Sequence, residues 1–151
     1  RNDAVLEQAL RRLPRGSGFI FRHYHLPKAE RRARFDALAR LARARGHLVV
    51  LAGSRAQARC WGAALAYGPD GQLRAAHNLR EIGRTSGAQA VLLSPAFPTR
   101  SHPGAGTLGP LRFRLLAARS AVPVIALGGM NQRAARRLAW PRWAGIDAFL
   151  R

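Results

Sequence analysis

Two short runs, residues 90–93 (AVLL) and 122–127 (VPVIAL), are apolar at nearly every position and are joined by an arginine-rich segment of helical period. A run with no polar alternation cannot lie half-exposed, so both predict strands buried on two faces, as in a parallel sheet with a right-handed helical crossover. Ligands of parallel α/β sheets sit beyond the carboxyl ends of the strands, where this chain places residues 94–109 and Gly128-Gly129. The loop opens at Ser94 and carries further hydroxyls at Thr99 and Ser101. A double glycine after a strand lets backbone N–H groups approach a phosphate, so Gly128, Gly129 and Met130 form the expected phosphate site, with the following helix start adding positive potential.

At 151 residues and 48% hydrophobic content, one substantial core and one domain over residues 1–151 are expected. The single cysteine, Cys60, excludes an internal disulfide framework and fits a reducing compartment. No apolar run nears the roughly 20 residues of a membrane span and no signal-peptide pattern is present, so the expected location is the cytoplasm. The net charge of +19 raises nucleic acid as a partner. Arginine supplies nearly all of it, spread over every helical segment, while aromatics reach only 7% and fall at core positions. A general arginine bias is therefore expected, with a basic nucleic-acid-associated protein as the remote alternative.

In chain order, residues 2–13 predict a helix with Leu6, Leu10 and Leu13 on one face, and residues 18–24 (GFIFRHY) a strand. Pro27 opens a helix to Arg45 with Phe35, Leu38 and Leu41 inward and Gly46 as its stop. Strands are expected at residues 47–52, 63–67 and, more weakly, 74–77, with a helix capped by Ser54 and ending near Gly62. Asn78 caps a helix over residues 79–86, and a further helix covers residues 110–120. Asn131 starts another, ended by Trp140-Pro141, and residues 145–150 (GIDAFL) predict a last strand.

This alternation contains seven strands from Gly18 onward. A (β/α)8 TIM barrel needs eight strands and typically about 250 residues, or about 200 in compact cases. The expected fold is that barrel with its first strand upstream of Arg1, and an open doubly wound sheet is the alternative.

The segment AVLLSPAFPTRSHPGAGTLG followed by VPVIALGGM resembles the thiamine-phosphate synthase and TenI family of (β/α)8 barrels. The family's Pro-Thr-x-Ser/Thr-Lys loop is matched by Pro98, Thr99, Arg100, Ser101 and His102, and its glycine turn by Leu127, Gly128 and Gly129. His77-Asn78 resembles the family's His-Ser pair, and FRHY lies where the family carries an arginine motif, here Arg22. The resemblance implies an enzyme of thiamine biosynthesis that takes a thiazole phosphate or related small phosphate, in a form compatible with a homo-oligomer. It assigns Arg22, Ser94, Thr99, Ser101 and His102 to substrate binding.

The synthase reaction expels pyrophosphate and, in the family, uses Mg²⁺ held on aspartates. Here the expected Asn-Asp pair aligns with Ala52-Gly53, and of the seven acidic residues only Asp70 lies near a strand end. No metal set is therefore expected, and no cofactor, with Mg²⁺ implied only if synthase coupling is retained. The TenI branch, a thiazole tautomerase, moves a proton without a metal, and the resemblance gives the acid/base role to His77. Imidazole suits it because an unperturbed pKa of about 6.5 allows uptake and return of a proton near neutrality. A diverged synthase and a non-catalytic phosphate binder are the alternatives. His23 and His25 share one strand face and could converge, and Cys60 is expected to pack on its helix.

Overall fold

A computed structural model describes residues 3–100, 103–146, 148 and 149. The chain divides into two compact units, the first running to Gly71 and the second covering Gln72–Ala148. The first contains α1 (Asp3–Arg12), β1 (Gly18–Phe21), α2 (Lys28–Ala44), β2 (Leu48–Ala52), α3 (Arg55–Trp61) and β3 (Leu65–Tyr67). The second contains β4 (Leu73–Ala76), α4 (Leu79–Ile82), β5 (Ala90–Leu93), α5 (Gly109–Ala117), β6 (Val124–Ala126) and α6 (Gln132–Leu138). In each unit consecutive strands pair in parallel, β1 with β2 and β2 with β3, then β4 with β5 and β5 with β6. This is the β/α alternation of part of a barrel.

Local chemistry sets the helix ends. Pro27 precedes α2, where a missing N–H costs nothing, and Gly46 closes it in a Schellman turn, with Gly46 N bonding Arg43 O and His47 N bonding Ala42 O, both at 2.9 Å. Ser54 Oγ accepts from Gln57 N at 3.1 Å to start α3, as its position predicts. The buried stripe of α2 is Arg31, Phe35, Leu38, Ala39 and Ala42, while Leu41 packs only partly against it. Phe35 meets Phe21 edge-on at 5.4 Å and Trp61 at 5.3 Å, so the first core closes on aromatic rings. In the second unit Leu93, Phe113 and Leu138 are fully buried, and Phe113 packs edge-on against Trp140 at 5.3 Å.

Three elements differ from the sequence reading. The strand expected over residues 18–24 stops at Phe21, leaving Arg22 exposed in the following loop. The helix after Asn78 ends at Ile82, because Gly83 caps it and the Thr85 hydroxyl donates to Ile82 O at 2.7 Å. The strand expected over residues 145–150 is absent among its described members, residues 145, 146, 148 and 149, with Asp147 and Leu150 outside the described residues. Pairing instead occurs earlier, at a single parallel bridge between Ala126 and Trp143. Ala126 is the last residue of β6, so the segment meets that strand only at its end and no ladder can extend.

Leu10 shows how one residue type propagates into packing. Pro14 stands four residues on and has no N–H, so the Leu10 carbonyl lacks a helical donor. His47, buried at 5% exposure, supplies it through Nε2 at 2.9 Å and ties the end of α1 to the turn before β2. His47→Ala should lower stability by about 1–3 kcal/mol, the cost of leaving a buried carbonyl unsatisfied. Urea unfolding of the two proteins checks it, and equal midpoints would remove this role.

Candidate functional site

The ladder register of the second unit levels its strand ends. Ala76 pairs with Leu93 and Leu93 with Ala126, so His77, Ser94 and Leu127 leave the sheet side by side. Ser94 N bonds Ala76 O and Leu127 N bonds Leu93 O, each at 3.0 Å, which extends the ladder one residue past each strand.

His77 is held twice. On the backbone side, Asn78 and Glu81 form a reciprocal cap: Asn78 Oδ1 accepts from Glu81 N at 2.9 Å, and Glu81 Oε2 accepts from His77 N at 2.7 Å. On the ring side, Nδ1 lies 3.0 Å from the Ser94 carbonyl oxygen and 3.2 Å from Ser94 Oγ. Ser94 is buried while His77 is exposed, and among the described residues Nε2 has no hydrogen-bond partner. The ring is thus oriented through one nitrogen and presents the other.

The loop after β5 folds over the end of β6, with Ala96 N bonding Leu127 O at 2.8 Å and Phe97 N bonding Gly128 O at 3.1 Å. Gly128 and Gly129 both adopt left-handed backbone, at φ +90° and +62°. A Cβ on Gly128 would lie 2.7 Å from Pro95 Cα, and one on Gly129 would lie 2.9 Å from Phe97 Cβ and closer still to the Pro98 carbonyl oxygen. Packing between the two loops therefore requires both glycines, whatever binds there. The N–H groups of Gly128, Gly129 and Met130 donate to no described residue, while the Met130 side chain is buried in the core. Any anion attraction rests on these N–H groups and not on the helix dipole, since α6 has 7 residues and Asn131 caps it by accepting from Ala134 N.

Thr99 is half-buried and directly follows Pro98, which puts it on the loop that covers Gly129. Ser101 and His102 lie outside the described residues.

In the first unit the register sets Phe21 against Leu51 and Ala52 against Tyr67, so Arg22, Ala52 and Tyr67 gather at the carboxyl ends of β1, β2 and β3. Arg22 and Arg31 both lie over the Tyr24 ring, at 5.9 and 5.2 Å. Arg31 is a residue that the sequence reading missed. It is buried at 9% exposure, donates through Nη2 to Ala52 O at 2.8 Å, and lies 5.2 Å from the Trp61 ring. The available signal was its place four residues before Phe35, on the buried stripe of α2. His23 stacks on Phe21 at 4.4 Å, and its ring centre lies 5.5 Å from that of His25.

Three carboxylates have partners of their own. Glu7 pairs with Arg34 at 2.8 Å and Asp36 with Arg32 at 2.9 Å, while Glu81 is taken up by the cap at His77. Among the described residues no three His, Cys, Asp or Glu side chains converge. No helix among them is long and apolar enough to cross a membrane.

Level strand ends, a histidine held by its neighbour and a glycine turn whose N–H groups donate to no described residue mark the edge of a parallel β/α unit. The family model for thiamine monophosphate synthase (TMP-TENI) matches residues 73–148, half of the chain, and the chain belongs to that family. Among solved structures it is similar in fold to a thiamine phosphate pyrophosphorylase from Pyrococcus furiosus, with a TM-score of 0.79 and 19% sequence identity over 99% of this chain and 81% of that one. Among curated proteins none matches the sequence.

Gly129→Ala should cost on the order of 1–3 kcal/mol through positive φ and contact with the 97–98 backbone. Thermal unfolding reads this directly, and an unchanged midpoint would show that the two loops do not meet so closely. Burial raises the Tyr67 pKa above the usual tyrosine value, with Arg22 opposing and Tyr24 reinforcing the shift. The folded state therefore holds this proton more tightly than the unfolded state. Its contribution to stability is complete below the ordinary tyrosine range, about pH 10, and declines as pH rises through the folded value. A spectrophotometric titration should show one late-ionising tyrosine that disappears in Tyr67→Phe.

Proposed function

We propose that the protein catalyses metal-independent proton transfer on a thiazole phosphate, a tautomerase-type reaction, with His77 as general acid and base. The observation that carries this reading is the imidazole oriented through Nδ1 by Ser94, with Nε2 left open at the carboxyl end of β4. A base so held can take a proton from one atom of a ligand and return it to another without net change in charge. The phosphate would lie against the N–H groups of Gly128, Gly129 and Met130, whose backbone dipoles attract an anion. Thr99 and, by sequence, Ser101 and His102 would complete its loop, with Ser94 acting from beneath His77. Arg22 is a separate proposed ligand contact within the first unit, and a complete (β/α)8 barrel is the architecture the reading assumes.

The solved structure of similar fold is that of a thiamine phosphate pyrophosphorylase, and coupling with release of pyrophosphate is the second reading. The engaged carboxylates of Glu7, Asp36 and Glu81 weigh against it. His77→Ala should lower turnover of a thiazole carboxylate phosphate by about 10²- to 10⁴-fold while leaving its binding intact. Both substrate sets should be assayed with and without a chelator. Chelator-sensitive formation of thiamine phosphate would restore the synthase reading, and turnover of neither set would leave a non-catalytic phosphate binder.

A further inference from the structure

Ser94 directs two different oxygens at one nitrogen of His77. Its carbonyl oxygen, 3.0 Å from Nδ1, can only accept, so it suits the tautomer with a proton on Nδ1. Its hydroxyl, 3.2 Å from the same nitrogen, can donate and so suits the tautomer in which Nδ1 is bare. Ser94 is 7% exposed and therefore has little water to exchange with.

We propose that Ser94 is the positioning residue that lets His77 begin its task either as a base or as an acid. With Nδ1–H donating to the Ser94 carbonyl, Nε2 carries a lone pair and accepts a proton. With the Ser94 hydroxyl donating to bare Nδ1, Nε2 carries the proton and gives it up. A backbone carbonyl alone would hold the ring in the first state, because a bare Nδ1 would face an oxygen lone pair with no hydrogen between them. The hydroxyl removes that penalty, and the side-chain oxygen, unlike the carbonyl, can be changed by mutation. This inference rests on His77 being the acid/base group of the site, and it deepens that reading by naming what sets its tautomer.

The test compares nitrogen-15 spectra of the His77 ring in the wild-type chain, Ser94→Ala and Ser94→Thr, each at alkaline pH where the imidazole is neutral. The wild type should populate both tautomers. Ser94→Ala should shift the ratio toward the Nδ1–H form by about two- to tenfold, the weight of one hydrogen bond, and Ser94→Thr should keep the wild-type ratio. Circular dichroism establishes that each variant is folded, and the threonine variant guards against a packing effect of the alanine. An unchanged ratio in folded Ser94→Ala, or a wild-type ring already confined to one tautomer, would overturn the proposal. These spectra need no turnover, so a protein inactive on thiazole phosphates would sink the tautomerase reading while the tautomer ratio still decides the role of Ser94. Where turnover is measurable, Ser94→Ala should lower kcat and leave KM unchanged.

Discussion

The in-line register of Ala76, Leu93 and Ala126 is the constraint on which the candidate site depends. A parallel ladder spaces its hydrogen bonds evenly, so three strands that end level deliver three successor residues to one edge at adjacent-strand spacing. That alone puts Ser94 beside both His77 and Leu127. A register slip of one residue would turn each strand's side chains to the opposite face and bury the imidazole in place of an alanine.

Close approach of backbones then shapes the rest of the edge. The 94–98 loop lies over the 127–129 turn through two backbone hydrogen bonds, and the absence of side chains at Gly128 and Gly129 is what permits it. The following N–H groups have no acceptor among the described residues. The packing alone accounts for this pair of glycines.

The arginine excess has a physical use within the fold. Arg31, Arg43, Arg74 and Arg114 donate to the carbonyls of Ala52, Gly62, Arg84 and Leu138, while Arg55 and Arg45 reach those of Asp70 and Arg11. Most of these carbonyls lie at or just past the ends of helices and strands, where the backbone lacks a partner and a planar, multidonor cation fits well. With 26 basic and 7 acidic residues, such uses spread the charge over both units and do not by themselves mark a polyanion surface.

Hydrophobic period and punctuation in the sequence were sufficient to determine the order of strands and helices, the caps at Ser54, Asn78 and Asn131, the stop at Gly46 and the family, because each depends on residues near one another in the chain. His77 and the glycine turn were also visible there as residues following apolar runs. The lengths of β1 and α4, and the bridge at Trp143 in place of a strand over residues 145–150, were not: strand pairing depends on partners distant in sequence, and α4 is cut short by the Gly83 cap and the Thr85 hydroxyl, which hydrophobic period does not reveal. Arg31 escaped notice because an arginine on an amphipathic helix is ordinarily solvated, and it is the Ala52 carbonyl together with the rings of Phe21, Tyr24 and Trp61 that makes its burial tolerable. The Ser94 to His77 contact likewise joins residues 17 apart through the β4 and β5 register, a relation that exists only once the ladder has formed.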